Sequence, residues 1–123
     1  MANVVPNAFK GELLSGTHNF ASGGDSFKLA LYTANPYTTS STAYSSGAGN
    51  EVSGSAPGYS TGGSALTSQA VASSTATASV DFANLTFSSA TFSAAFGAIY
   101  NDDKSDKLVV ILDLERCKSV QIL

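Results

Sequence analysis

Residues 91–114 read TFSAAFGAIYNDDKSDKLVVILDL, and this stretch decides the fold. From Thr91 to Tyr100 the side chains alternate. Phe92, Ala94, Phe96, Ala98 and Tyr100 share one side; Ser93, Ala95, Gly97 and Ile99 share the other. A period of two is the mark of a strand with one face in a core. The small apolar set Ala95, Gly97 and Ile99 suits a face that another surface approaches closely. Asn101 to Lys107 then bring the densest charge in the chain, placed between two apolar runs. That arrangement predicts a solvated hairpin tip. Leu108 to Leu114 is apolar except for Asp113, which predicts a strand covered on both faces.

Working outward, Ser26 to Thr33 also alternates. Phe27, Leu29 and Leu31 form the expected core face, with Lys28, Ala30 and Tyr32 opposite, after a Gly23-Gly24-Asp25 turn. Ala76 to Phe82 predicts another strand, with Ala76, Ala78, Val80 and Phe82 on its apolar face; Leu85 and Phe87 continue beyond Ala83-Asn84. Ser119 to Leu123 predicts a closing strand. Residues 7–16 predict one short helix: Asn7 as N-cap, Phe9, Leu13 and Leu14 on a shared face, and Gly16 as the stop. Gly11 weakens it by about 1 kcal/mol relative to alanine. So short a helix cannot stand alone in water, so it must dock on its own domain or on a neighbour.

Between Leu29 and Val80 the only formal charge is Glu51. Ser, Thr, Ala and Gly dominate, with Tyr32, Tyr37, Tyr44 and Tyr59 spaced through them. Ser and Gly alone would suggest flexible coil. Recurrent Tyr and Thr favour ordered loops over 34–66, since disordered segments carry few aromatics and high charge. Gly62-Gly63 predicts a bulge or a close backbone approach. Tyr37, Tyr44 and Tyr59 have two readings: contact area for a partner, or anchors that pin their own loops. The whole reads as a single all-β domain over 1–123. It is an antiparallel sandwich or jelly roll with seven or eight strands and one N-terminal helix.

Composition narrows the function classes. The chain has 123 residues, 31 of them Ser or Thr, with 12% charged residues and a net charge of −3. Six bases on an acidic chain supply no face for nucleic acid. The longest apolar run, Leu108 to Leu112, falls far short of the roughly twenty residues that span a membrane. No secretory signal is expected at Met1 to Asn7, which lack a positive charge. One cysteine, Cys117, excludes an internal disulfide. The Asn84-Leu85-Thr86 triplet is of a kind that is frequent by chance.

Candidate chemistry is sparse. His18 is the one histidine. With Asp25 and Ser22 it sketches a triad, but no Gly-x-Ser-x-Gly elbow exposes a serine, and a histidine beside a strand is usually structural. Asn101, Asp102, Asp103 and Asp106 offer oxygens for calcium without the EF-hand spacing. Asp81, Asp113 and Glu51 lack a tryptophan platform for a glycosidase. No glycine-rich loop is placed to cradle phosphate. The expectation is a non-enzymatic chain without cofactor or metal. It would gain stability from self-association or from docking on a larger body, because so small a domain buries only about two-thirds of its unfolded surface.

Three stretches, taken together, resemble a known group. They are Ala8 to Phe20 followed by Phe27 to Thr33; Asn50 to Gly54 with Gly58 to Gly63; and Phe96 to Asp102 before Leu108 to Asp113. Their order and spacing resemble small structural proteins of tailed bacteriophages. The resemblance implies a virion protein made in the host cytoplasm. Size and the need for a partner select the cement or decoration type, which clamps the capsid surface as a homo-oligomer on the major capsid protein, without nucleic acid or membrane. The expected interface residues are Phe9, Leu13, Leu14, Tyr37, Tyr44 and Tyr59. The alternative is a tail or fibre component that binds a host glycan through its Tyr-bearing loops. After Leu114 the chain departs from the group, ending almost at once beyond Glu115-Arg116-Cys117-Lys118.

Overall fold

The structure is a computed structural model that describes residues 4–45, 49–55, 59–83 and 94–113. One helix, α1 (Asn7–Leu14), precedes β1 (Phe27–Tyr32), β2 (Ser64–Ala65), β3 (Ala70–Ser74), β4 (Thr77–Asp81), β5 (Phe96–Asn101) and β6 (Lys107–Asp113). The strands form two antiparallel sheets, one of four strands in the order β2-β1-β5-β6 and a two-stranded ribbon β3-β4. The described residues are therefore all-β with a single N-terminal helix, as the alternation predicts. The described residues hold six strands. The strands expected around Leu85-Phe87 and over 119–123 lie outside the described residues, as do Cys117 and the Asn84 triplet.

The β5–β6 hairpin forms at the predicted place, and β6 is buried on both faces. A bulge between Ile99 and Tyr100 explains how. Tyr100 pairs with Leu108 and Ile99 with Val110, so Val109 is the extra residue. Strict alternation would put Leu108 and Ile111 on opposite faces. The bulge instead lets both join Ala30, Tyr32, Ala98 and Tyr100 in one core, while Val109 and Val110 together meet Phe9 and Phe27 in the other.

β1 departs from its expected single buried face. Ala30 and Tyr32 are as fully buried as Phe27. β1 lies inside the sheet, between β2 and β5, and loops cover the face that alternation alone assigned to solvent. Gly63 shows how closely they approach. Its φ is +80°, and a Cβ there would collide with the Leu29 carbonyl oxygen. This is the close backbone approach expected of Gly62-Gly63.

In α1 two expectations fail and one holds. Pro6, not Asn7, is the N-cap, with no side-chain cap bond; the Asn7 N–H already donates to Thr39 O. Phe9 is buried and Leu13 half-buried, but Leu14 is 90% exposed. Five residues along a helix leave a net rotation of about 140°, so Leu14 cannot share the Phe9 face. Gly16 does end the helix. It sits at φ +74°, with Gly16 N–H donating to Leu13 O and Thr17 N–H to Glu12 O, the paired bonds of a Schellman stop.

The ribbon also differs from expectation. Val80 and Phe82 are half-buried, whereas Ala76 and Ala78 are exposed. An alanine methyl offers too little area to force burial. Every position of β3 is exposed.

Candidate functional site

Three features stand out, and they divide between the two faces of the four-stranded sheet. On one face the described loop residues between 34 and 66 are knit around Glu51. Tyr44 Oη donates to Glu51 Oε1 at 2.8 Å and Tyr59 Oη to Oε2 at 2.6 Å. The Gly62 N–H donates to Oε2 at 2.8 Å. Tyr100 stacks on Tyr44 with centroids 4.4 Å apart and donates to Gly62 O at 2.6 Å. The Tyr32 and Tyr37 hydroxyls meet at 2.7 Å. Burial, and then the Glu51 carboxylate, pushes the Tyr44 and Tyr59 phenols well above the ordinary range. Burial does the same to Tyr32 and to Tyr100, where Asp106 and Asp102 add to it. Tyr37 and Tyr59 are buried and Tyr44 is half-buried, so these rings anchor their own loops. By residue type alone Glu51 offers only a possible catalytic acid. Its isolation in an uncharged stretch was the signal that it organises these loops.

On the other face a second polar centre joins α1, the 18–26 loop and the hairpin tip. The His18 side chain is fully buried, with Nε2 2.9 Å from Glu12 Oε1. Nδ1 lies 2.9 Å from Asn101 Nδ2, which also donates to Asp25 Oδ2 at 2.8 Å. Burial works to raise the Asp25 carboxyl, but the Asn101 side chain, the Asn19 backbone and the Lys104 charge outweigh it and hold the group below the usual carboxylate range. The tip is thus only partly solvated. Asn101 is fully buried, and Asp103 Oδ2 accepts the Ser26 N–H at 2.8 Å. His18 and Asp25, paired in the sequence sketch of a triad, do share a cluster, through Asn101 rather than a serine. Among the described residues no group of three His, Cys, Asp or Glu side chains is placed to hold a metal ion.

Next to this centre lies the third feature, an open groove of about 120 Å³ between α1 and the ribbon. Phe9, Leu13 and Phe20 form one wall and Val71, Ala78 and Val80 the other. Val71, on the ribbon wall, is 57% exposed; the other exposed large apolar side chain among the described residues, Leu14 at 90%, stands on α1 away from the Phe9 face. Of the expected interface set, Phe9 and Leu13 line this groove and Leu14 is exposed on α1 outside it, while Tyr37 and Tyr44 pack in the core on the opposite face and Tyr59 packs with Leu29, Leu31 and Val52. Phe20 and Val71 escaped sequence reasoning because each sits in an irregular or small-residue stretch with no periodicity. Comparison with protein-family models, with curated proteins and with solved structures returns no match. Among the described residues no helix is long and apolar enough to cross a membrane.

Proposed function

We propose that this chain is a non-enzymatic structural protein of a tailed-phage virion. In this reading it is a capsid cement protein that binds the assembled head lattice as a homo-oligomer, on the major capsid protein at the capsid surface. The reading rests on the order of the three resembling stretches, and one structural observation carries its contact. The helix–ribbon groove is apolar and open, and Val71 on its wall is exposed, as is Leu14 elsewhere on α1. Exposed apolar surface of this kind gains free energy when a partner covers it. A protein that binds the lattice and not dissociated subunits stabilises the shell by mass action alone. The tyrosine loops favour the glycan alternative less, because their rings and hydroxyls are spent internally.

The test uses capsids assembled from the genome that carries this gene. Cryo-electron microscopy should place copies on the head, with α1 and the ribbon turned toward the lattice. Leu14→Asp combined with Val71→Asp should abolish co-sedimentation with shells while leaving the circular dichroism spectrum unchanged. Density on the tail alone, or undiminished binding by the double variant, contradicts the proposal.

A further inference from the structure

The two sheets end differently at their edges. A strand edge offers unpaired N–H and C=O groups to any other chain, and proteins blunt it with short strands, covering segments, bulges, charges or proline. Both edges of the four-stranded sheet are blunted. β2, on one side, is two residues long. β6, on the other, is covered: Ile111 N–H donates to Val4 O at 2.7 Å, Val4 N–H to Ile111 O at 2.9 Å, and Leu108 N–H to Thr42 O at 3.1 Å. Along β3 the ribbon has none of these devices. β3 is five residues long and every position is exposed. It runs in register with β4 without a bulge. It holds no proline, and the chain from Leu66 to Val80 carries no charge.

The register fixes which groups stand free. The two-residue turn Thr75-Ala76 makes Ser74 and Thr77 the closing, hydrogen-bonded pair. Bonded and non-bonded pairs then alternate. Ala70, Ala72 and Ser74 turn their backbone groups inward to β4, while Val71 and Ser73 turn theirs outward. Among the described residues no backbone bond meets Val71 or Ser73 from beyond the ribbon.

We propose that the β3 edge pairs with the β3 edge of a second copy of this chain, antiparallel about a two-fold axis at Ala72. Val71 exchanges two bonds with the partner's Ser73, and Ser73 two with the partner's Val71, so every outward group of both edges is satisfied. Two ribbons become one four-stranded sheet. A two-stranded ribbon is marginal alone, and further strands stabilise it. Two features select a copy of the chain itself. The outward groups are symmetric about Ala72, as an isologous contact requires. Each copy carries a net charge of −3, so copies repel wherever their acids meet, and β3 brings no charge to the seam. Asp81, the one charge of the ribbon, sits on β4 opposite Ala70 and guards the other edge. The seam deepens the homo-oligomer of the proposed function and rests on that reading only for what the oligomer serves.

Disulfide trapping of the full chain carrying Cys117→Ser tests the seam. The axis sets Ala72 opposite its own copy, with Cα atoms about 4.5 Å apart, within the span a disulfide bridges. Ala70 lies opposite the partner's Ser74, so the two Ala70 positions are roughly 14 Å apart and cannot be joined. On oxidation Ala72→Cys should give at least about tenfold more covalent dimer than Ala70→Cys. Ser73→Pro removes an outward N–H and spares the β3–β4 ladder. Added to Ala72→Cys, it should cut trapping to the Ala70→Cys level, whereas Ser73→Ala should not. Equal yields at the two cysteine positions overturn the seam, as does undiminished trapping with Ser73→Pro. Should Ser73→Pro fail to fold by circular dichroism, the comparison of Ala72 with Ala70 decides alone. Amide protection at Val71 and Ser73 that appears only with capsid shells assigns the edge to the capsid protein and also overturns the proposal. Copies that trap at Ala72 yet do not bind shells would sink the virion reading and leave the seam standing.

Discussion

The two faces of the four-stranded sheet each bury aromatic side chains and solve opposite problems. On the tyrosine face, Tyr32, Tyr37, Tyr44 and Tyr100 bury their rings; Tyr59, packed with Leu29, Leu31 and Val52, joins them through Glu51, and all these hydroxyls find partners within the chain. Glu51 supplies two of the acceptors. On the helix face, Phe9, Phe20, Phe27 and Phe82 pack on one another beside the buried His18 centre, and the packing stops short, leaving the groove open toward the ribbon. Polar rings need their partners to be buried at all, so that face must close on itself. Phenylalanines carry no such requirement, so their face can remain open for something else to cover it. Buried side-chain polar atoms among the described residues all have hydrogen-bond partners, which leaves apolar surface as the unmet demand.

The largest break in this contrast should come from Glu51→Ala. It removes the acceptor for Tyr44, Tyr59 and Gly62 together. Each donor left unsatisfied costs on the order of 1–3 kcal/mol, and partial solvent access returns some of that. A loss of about 2–4 kcal/mol in urea unfolding is expected. A loss below about 0.5 kcal/mol would show that the carboxylate does not organise the loops.

Next in size is an alkaline effect confined to the tyrosine face. Burial holds Tyr32, Tyr44, Tyr59 and Tyr100 in the neutral form, whereas an unfolded tyrosine ionises near pH 10. Raised phenols contribute stability that is complete below about pH 10 and lost as pH rises beyond it. Each linked phenol removes up to about 1.4 kcal/mol per pH unit. Absorbance titration should show tyrosinate appearing abruptly with unfolding. A gradual titration of Tyr32, Tyr44, Tyr59 and Tyr100 near pH 10 in the folded chain would contradict their burial.

The smallest effect belongs to the exposed apolar side chains of α1 and the ribbon. Leu14→Asp and Val71→Asp should each change stability by no more than about 0.5 kcal/mol, because both side chains already face solvent. Thermal unfolding checks this. A large destabilisation would mean that these side chains serve the monomer, not a partner.

The same contrast shows what could be read from the sequence. The β5–β6 hairpin was legible because ten alternating residues meet a charged tip, and the Gly16 stop because glycine is the usual residue for a left-handed helix end. The bulge at Val109 was not legible, since in an all-apolar run neither face is distinguishable. The second buried face of β1 was hidden because its cover comes from loops distant in sequence. Leu14 was misplaced through helical phase, and the ribbon through crediting alanines with more hydrophobic weight than they carry. Glu51, His18 and Asn101 were visible as residue types. Their roles depend on partners that lie up to 83 positions away along the chain, a relation that local periodicity does not encode.

Hydrogen exchange followed by mass spectrometry, on the chain free and bound to capsid shells, tests the central claim most directly. Binding should raise protection in residues 9–20 and 70–81, which wall the groove, and leave the tyrosine loops at 34–45 and 59–66 unchanged. Protection gained in the tyrosine loops, with none across α1 and the ribbon, would contradict the account.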